Sequence, residues 1–341
     1  MRVALFTINN FLAGTAATFG YRETLERMGH EVLPARLPGN QVQVTPELLA
    51  ECPTIEQLME CDLVLSTHHE YVQPWLEAMY PFAAWDKLMS KVPVLARFDE
   101  SMDRGDLLLP HRMPDLLQWA KHYSFPAAQD ADTYNGQWLP FGTDTTIFKP
   151  GTPLPEKKYD VGFIGTMYPK RHEYLTKLIQ FAGRNTKLYV GNVAVQDIAG
   201  VRSRDTALLL ADNYRDIKIF FCFPPISRLV VSKIPDIMAC DTLVLYPRFP
   251  GEAMAKNYSP FEHEKHIVYY ELGFFANNGK QLQYYLQHPE EAERIAKAGG
   301  ELVRAEHTLE QMIHKMMAYA GVFAPKEVAL LRGESSVDNG G

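Results

Sequence analysis

Three short stretches concentrate residue types that can handle a phosphate group or a hydroxyl proton. In "DVGFIGTMYPKRHEYL" (160–175) an apolar run ends at Gly165, a loop with Thr166 follows, and Lys170 and Arg171 open a helical pattern. Backbone N–H groups at a helix start, joined by two cations, suit a diphosphate. Gly165 lets a ligand approach the backbone with no side chain in the way. A plain strand, turn and helix with solvated basic residues accounts for the same letters.

In "SKIPDIMACD" (232–241), Lys233 and Asp236 stand three apart and share one helix face. A cation for phosphate and a carboxylate for a ribose diol could therefore meet one ligand. The structural alternative is complete as well. Ser232 is a candidate N-cap, Pro235 fits a first turn, and Asp236 suits the positive end of the helix dipole.

The third stretch, "VPVLARFDESMDRGD" (92–106), reads as a strand ending at Arg97–Phe98–Asp99. A carboxylate at the carboxyl end of a strand in an open α/β sheet faces the ligand crevice, where it could act as a general base. Asp103 and Asp106 lie farther into the loop and read as solvated. "STHHEYV" (66–72) also follows a strand and places His68, His69 and Glu70 at the rim. Zinc needs three or four convergent ligands and adjacent histidines point apart, so no metal is assigned. Asn10, His68, His69 and Arg97 are the candidate acceptor contacts.

These residues must be positioned by the elements around them. "VALFTI", "CDLVLST", "VPVLARF" and "HYSFPA" are apolar runs alternating with amphipathic stretches, the rhythm of a parallel, doubly wound sheet. "LPFGTDTTIFKPGTPLPEKK" then gathers Pro, Gly and Thr as a linker does. The pattern restarts with "YDVGFIG", "TKLYVG", "IKIFFCF", "TLVLY" and "HIVYY", then turns helical from residue 279. The expected division is 1–145, a linker over 146–158, a second domain over 159–331, and a disordered tail over 332–341. At 341 residues the chain exceeds what one core sustains, which agrees with two domains.

Several function classes lose ground. "FTINNFLAGTAATFG" supplies only Gly14 and Gly20, so there is no G-x-G-x-x-G after the first strand and no P-loop lysine. A net charge of −7 gives no global pull toward nucleic acid. No apolar stretch approaches the ~20 residues that span a bilayer. The four cysteines lack C-x-x-C pairing and read as reduced thiols of a cytoplasmic protein.

The motifs, in this order, resemble a GT-B glycosyltransferase, and the second half resembles the glycosyltransferase-like domain of the CgeB family. The matching stretches are "YDVGFIGTMYPKRHEYL", "SKIPDIMACDTLVLY", "HIVYYE" and "HPEEAERIAKAGGELVRAEHTLEQMI". The resemblance implies two facing Rossmann-like domains with a cleft between them. It also implies a nucleotide-sugar donor, a UDP-sugar, with no tightly bound cofactor and a divalent metal at most stimulatory.

The plan is also similar to that of the T-even phage DNA β-glucosyltransferases. That similarity implies a phosphate contact at Arg171, a donor turn at Lys233, Asp236 and "ACD", a Gly-Asn turn at Gly191 in "LYVGN", and a catalytic base at Asp99. Lys233 and Asp236 stand where that family has Arg and Glu, which removes a bidentate fork and one methylene of reach. An inverting transfer follows, to a hydroxymethylated base in double-stranded DNA, in a host cytoplasm if the chain is phage-encoded. Arg104, His111, Arg112 and Lys121 would be backbone contacts. The alternatives are a surface glycan or small-molecule acceptor with inversion or retention, a nucleotide-sugar epimerase, and a non-catalytic scaffold.

Overall fold

The computed structural model describes residues 1–8, 16–37, 52–99, 109–165, 167, 169–182, 186–192, 204–222, 230–248, 259–271 and 275–323. The expected tail, 332–341, lies outside the described residues. The chain forms two compact units, one of Met1–Asn9, Tyr21–Leu139 and Glu310–Gly341, the other of Asn10–Gly20 and Pro140–Leu309. Both are α/β with a parallel sheet.

The first unit holds β1 (Arg2–Ile8), β2 (Glu31–Leu37), β3 (Leu63–Thr67), β4 (Val94–Arg97), β5 (His122–Phe125) and β6 (Gln137–Trp138). Their order is β2-β1-β3-β4-β5-β6, with every pairing parallel. Helices α1 (Ala16–Arg27), α2 (Ile55–Met59), α3 (His69–Met79), α4 (Phe82–Met89), α5 (Leu109–Leu117) and α6 (Ala128–Thr133) intervene. Central strands β3 and β4 are buried at every position, as a sheet covered on both faces requires. Pro34 falls in β2, the edge strand, where a missing N–H is tolerated. The strand order reverses between β1 and β3, so ligand chemistry belongs at their carboxyl ends, where His68 follows Thr67.

The second unit holds β7 (Tyr159–Gly165), β8 (Leu188–Asn192), β9 (Ile217–Phe221), β10 (Leu243–Arg248) and β11 (Val268–Glu271), in the order β11-β10-β9-β7-β8. Its helices are α7 (Pro169–Ala182), α8 (Arg204–Arg215), α9 (Lys233–Ala239), α10 (Phe275–Gln287) and α11 (Pro289–Glu306). Here the order reverses between β7 and β9, which puts Gly165, the last residue of β7, at the switch point.

Two features differ from the sequence expectation. The stretch 146–158 is not a free linker, because Ile147, Phe148 and Leu154 are buried in the second core. Its Pro- and Gly-rich letters conceal three apolar anchors. The last described helix, α12 (Leu309–Tyr319), is grouped from Glu310 onward with the first unit rather than the second. Its stripe of Leu309, Met312, Ile313, Met316 and Met317 is buried, Glu310 meets Arg27 at 3.5 Å, and Tyr319 packs edge-on to His122. Among the described residues no helix is long and apolar enough to cross a membrane. All four cysteines are free thiols.

Candidate active site

In the second unit the candidate donor residues gather at the end of β7. Ile164 pairs with Gly191 and Gly165 with Asn192 in the β7–β8 register. The Lys233 amine, from the start of α9, donates to the Ile164 carbonyl at 3.0 Å and lies over the rings of Phe163 and Phe220 at 5.2 and 5.3 Å. A Cβ at position 165 would stand 3.3 Å from that amine, so glycine keeps the approach open. The Arg171 guanidinium, in the first turn of α7, lies 5.8 Å over the same Phe163 ring.

Loss of solvent around the Lys233 amine lowers its pKa, and the charge on Arg171 lowers it further. Two cations sharing one aromatic ring repel each other, and an anionic group bound there would offset that repulsion. Gly165, Arg171, Gly191 and Lys233 are thus brought together. Thr166 and the side chain of Lys170 lie outside the described residues.

Asp236 takes a different partner. It is 3% exposed, and the Thr143 hydroxyl donates to its Oδ1 at 2.5 Å. Burial pushes its pKa up to about 7, against the Thr143 bond, and the neighbouring Asp144 raises it further. The sequence pairs Asp236 with Lys233 as two contacts on one ligand. In the structure the Lys233 amine goes to β7 and the Asp236 carboxyl to Thr143 of the same unit. Ser232 is helical and makes no side-chain cap, so the capping alternative is unmet too. What closes α9 is its other end, where buried Lys157 donates to the Cys240 carbonyl at 3.0 Å.

In the first unit a buried polar cluster surrounds Asp99. Its Oδ1 accepts from Arg97 Nε at 3.1 Å, and its Oδ2 accepts from the His68 backbone N–H at 3.1 Å. The His68 ring Nδ1 is also 3.1 Å from Oδ2. The Asp99 N–H donates to the Glu70 carboxylate at 3.3 Å, and Arg112 donates to the Glu70 carbonyl at 3.0 Å. Arg97 is fully buried and also donates to the Leu139 carbonyl at 2.7 Å. It organises the cluster from beneath instead of meeting an acceptor.

His68 has φ 51° and ψ 48°, a left-handed conformation that costs a non-glycine residue of order 1 kcal/mol. That conformation turns both its N–H and its ring toward Asp99. Side-chain exposure is 8% for His68 and 5% for Asp99.

His69 turns the other way and is not an acceptor contact. It is fully buried, with Nδ1 2.8 Å from the Ser66 hydroxyl and Nε2 3.0 Å from the Leu116 carbonyl. Burial pushes its pKa down to about 4. Glu70 is likewise fully buried instead of lying at the rim. His111 and Lys121 are exposed, whereas Asn10, Asp103, Arg104 and Asp106 lie outside the described residues. Among the described residues no group of three or more His, Cys, Asp or Glu is placed to hold a metal ion.

Sequence reasoning missed Thr143, whose only signal was its place in a Gly-Thr-Asp turn. It also missed Tyr21, a fully buried residue of α1 whose hydroxyl pKa is pushed up by burial and by the charge of Asp99.

Residues 179–318 match a family described as glycosyl transferase-like. That span takes in Gly191, Lys233 and Asp236. No curated protein matches the chain.

Among solved structures, Anabaena HepE in complex with UDP-glucose superposes with a TM-score of 0.63 at 12% identity, covering 95% of this chain and 100% of that one. A glycosyltransferase from Rickettsia africae gives 0.59 at 13% identity, covering 94% and 98%. Sucrose-phosphate synthase from Thermosynechococcus elongatus gives 0.57 at 12% identity, covering 93% and 97%. At such identities the likeness is one of fold, and the fold is GT-B.

Proposed function

We propose that this chain is a glycosyltransferase that moves a sugar from a UDP-sugar to an acceptor hydroxyl with inversion. The observation that carries the reading is the convergence of Lys233, Arg171 and Gly165 at the switch point of the second sheet. The family match over 179–318 and the UDP-glucose bound by the structurally similar HepE support it.

In this reading the donor diphosphate lies at the end of β7, with Lys233 and Arg171 as counter-charges. The acceptor oxygen attacks the anomeric carbon. The bond from that carbon to the diphosphate oxygen breaks, and its electron pair leaves with UDP. The hydroxyl proton goes to the His68 ring, and the Asp99 carboxylate, 3.1 Å from Nδ1, stabilises the resulting imidazolium. Asp99, expected from the sequence as the base itself, here acts through His68. Arg97 and the His68 N–H hold its carboxylate in place.

The test is a donor screen on the purified chain with duplex DNA containing hydroxymethylated bases, glycan extracts and small alcohols as acceptors, with and without magnesium. The first of these acceptors follows from the similarity to the phage enzymes. The expected result is UDP release that depends on an acceptor whose mass rises by one sugar. Conversion of a UDP-sugar to its epimer without any acceptor overturns the transferase reading, and a product with the donor's anomeric configuration overturns inversion.

A further inference from the structure

The chain passes from one unit to the other at Leu139–Pro140 and again at Leu309–Glu310, among other points. These two passages are tied together on the second unit's side. The Thr143 N–H donates to the His307 carbonyl at 3.0 Å, and the Leu309 N–H donates to the Thr143 carbonyl at 2.9 Å. Gly142 makes room for this, since a Cβ there would stand 2.7 Å from the Thr308 oxygen. Thr143 has thus spent both backbone groups on the returning strand.

Its hydroxyl does something else. It donates to Asp236 of α9, the helix whose first residue, Lys233, sends its amine to the end of β7. Every residue from Ile234 to Ala239 is buried, so α9 is held as a rigid block. Three residues separate the two side chains, about 4.5 Å along a helix axis. A shift at Asp236 therefore reaches Lys233 within one turn.

We propose that Thr143 and Asp236 form a positioning pair that sets the Lys233 amine against the end of β7, tying the diphosphate cradle to the bridged segments at Thr143 and His307–Leu309. This rests on the reading of Lys233 as a diphosphate contact. Asp236 then serves α9 and not the ribose. The pairing also explains why a short Asp can stand here, because the partner is a nearby threonine hydroxyl.

The experiment is calorimetric titration of the full chain with UDP, alongside thermal unfolding, for wild type, Thr143→Val, Thr143→Ser, Asp236→Asn, Lys233→Met and the Thr143→Val/Lys233→Met double variant. Thr143→Val is expected to weaken UDP binding about tenfold, the size of one hydrogen bond. Thr143→Ser, which keeps the hydroxyl, is expected to bind as wild type does. The double variant is expected to bind no worse than Lys233→Met alone, because a residue acting through Lys233 has no separate effect once the amine is gone.

Should Thr143→Val fail to fold, Asp236→Asn carries the test, with a severalfold loss expected. Full UDP affinity in Thr143→Val or Asp236→Asn, or losses that add in the double variant, overturns the positioning role while leaving the donor reading intact. A wild-type chain that binds no nucleoside diphosphate overturns the donor reading and this inference with it.

Discussion

His68 approaches Asp99 twice, through its backbone N–H and through its ring Nδ1, each 3.1 Å from the same carboxylate oxygen. The left-handed conformation of His68 is what permits both. The two approaches together fix where the His68 ring stands against Asp99. It predicts that His68→Gln and Asp99→Asn each lower kcat by about 10²–10⁴ and leave UDP affinity unchanged. The two losses should not add, since the pair acts as a unit. If His68→Gln retains near-normal turnover while Asp99→Asn does not, Asp99 itself takes the proton.

Arg97 is predicted to be a stability residue. Its guanidinium neutralises Asp99 and satisfies the Leu139 carbonyl with no exposure to water. Arg97→Met would leave a buried carboxylate without its cation, a change worth about 3–5 kcal/mol. Urea unfolding measures it, and a loss below about 1 kcal/mol would show that water reaches Asp99 in its place.

Gly165→Ala is predicted to weaken donor binding with little effect on unfolding. The new methyl would stand 3.2 Å from the Phe163 ring and 3.3 Å from the Lys233 amine, and the amine is the mobile partner. A loss of about fivefold in UDP affinity corresponds to ~1 kcal/mol of displaced charge. Titration calorimetry reads it directly.

His69 contributes an acid-sensitive term to stability. Its folded pKa is about 4, below the ordinary histidine value of about 6.5. Between those two pH values only the unfolded chain holds the proton, so the His69 contribution falls as pH falls, by about 1.4 kcal/mol per pH unit. The measurement is the difference in unfolding free energy between wild type and His69→Gln, which should grow in favour of wild type by that slope from pH 4 to 6.5.

Asp236 has the opposite sign. Its folded pKa of about 7 lies above the ordinary aspartate value of 3.8, so between those values the folded chain alone keeps the proton. Stability from this group falls as pH rises through that window, again by about 1.4 kcal/mol per unit. Asp236→Asn should therefore gain stability relative to wild type at pH 8 and not at pH 4. From pH 4 to 6.5 the Asp236 and His69 slopes cancel, so each single variant should show a steeper dependence than wild type, in opposite directions.

The arrangement of strands was legible because each β-α-β unit announces itself locally. Parallel strands buried on both faces must be short apolar runs, and "LVLST", "VLAR" and "IKIFF" are such runs. The placement of Gly165 at a strand end and of Lys233 at a helix start was legible for the same reason, since both are local features. Two-residue β6 carried no pattern to detect, and the anchors Ile147, Phe148 and Leu154 were hidden among prolines and threonines.

By itself, then, the sequence determined two parallel-sheet domains and the positions along the chain where loops could bind ligands, because hydrophobic periodicity is a property of neighbours in the chain. Only the tertiary structure decided what each polar side chain faces. His68 and His69 are adjacent, yet one meets Asp99 and the other Ser66 and Leu116. Lys233 and Asp236 share a turn, yet one bonds to Ile164, 69 residues away, and the other to Thr143, 93 away. A buried polar group must find a partner wherever the fold supplies one, and that partner has no fixed distance along the chain.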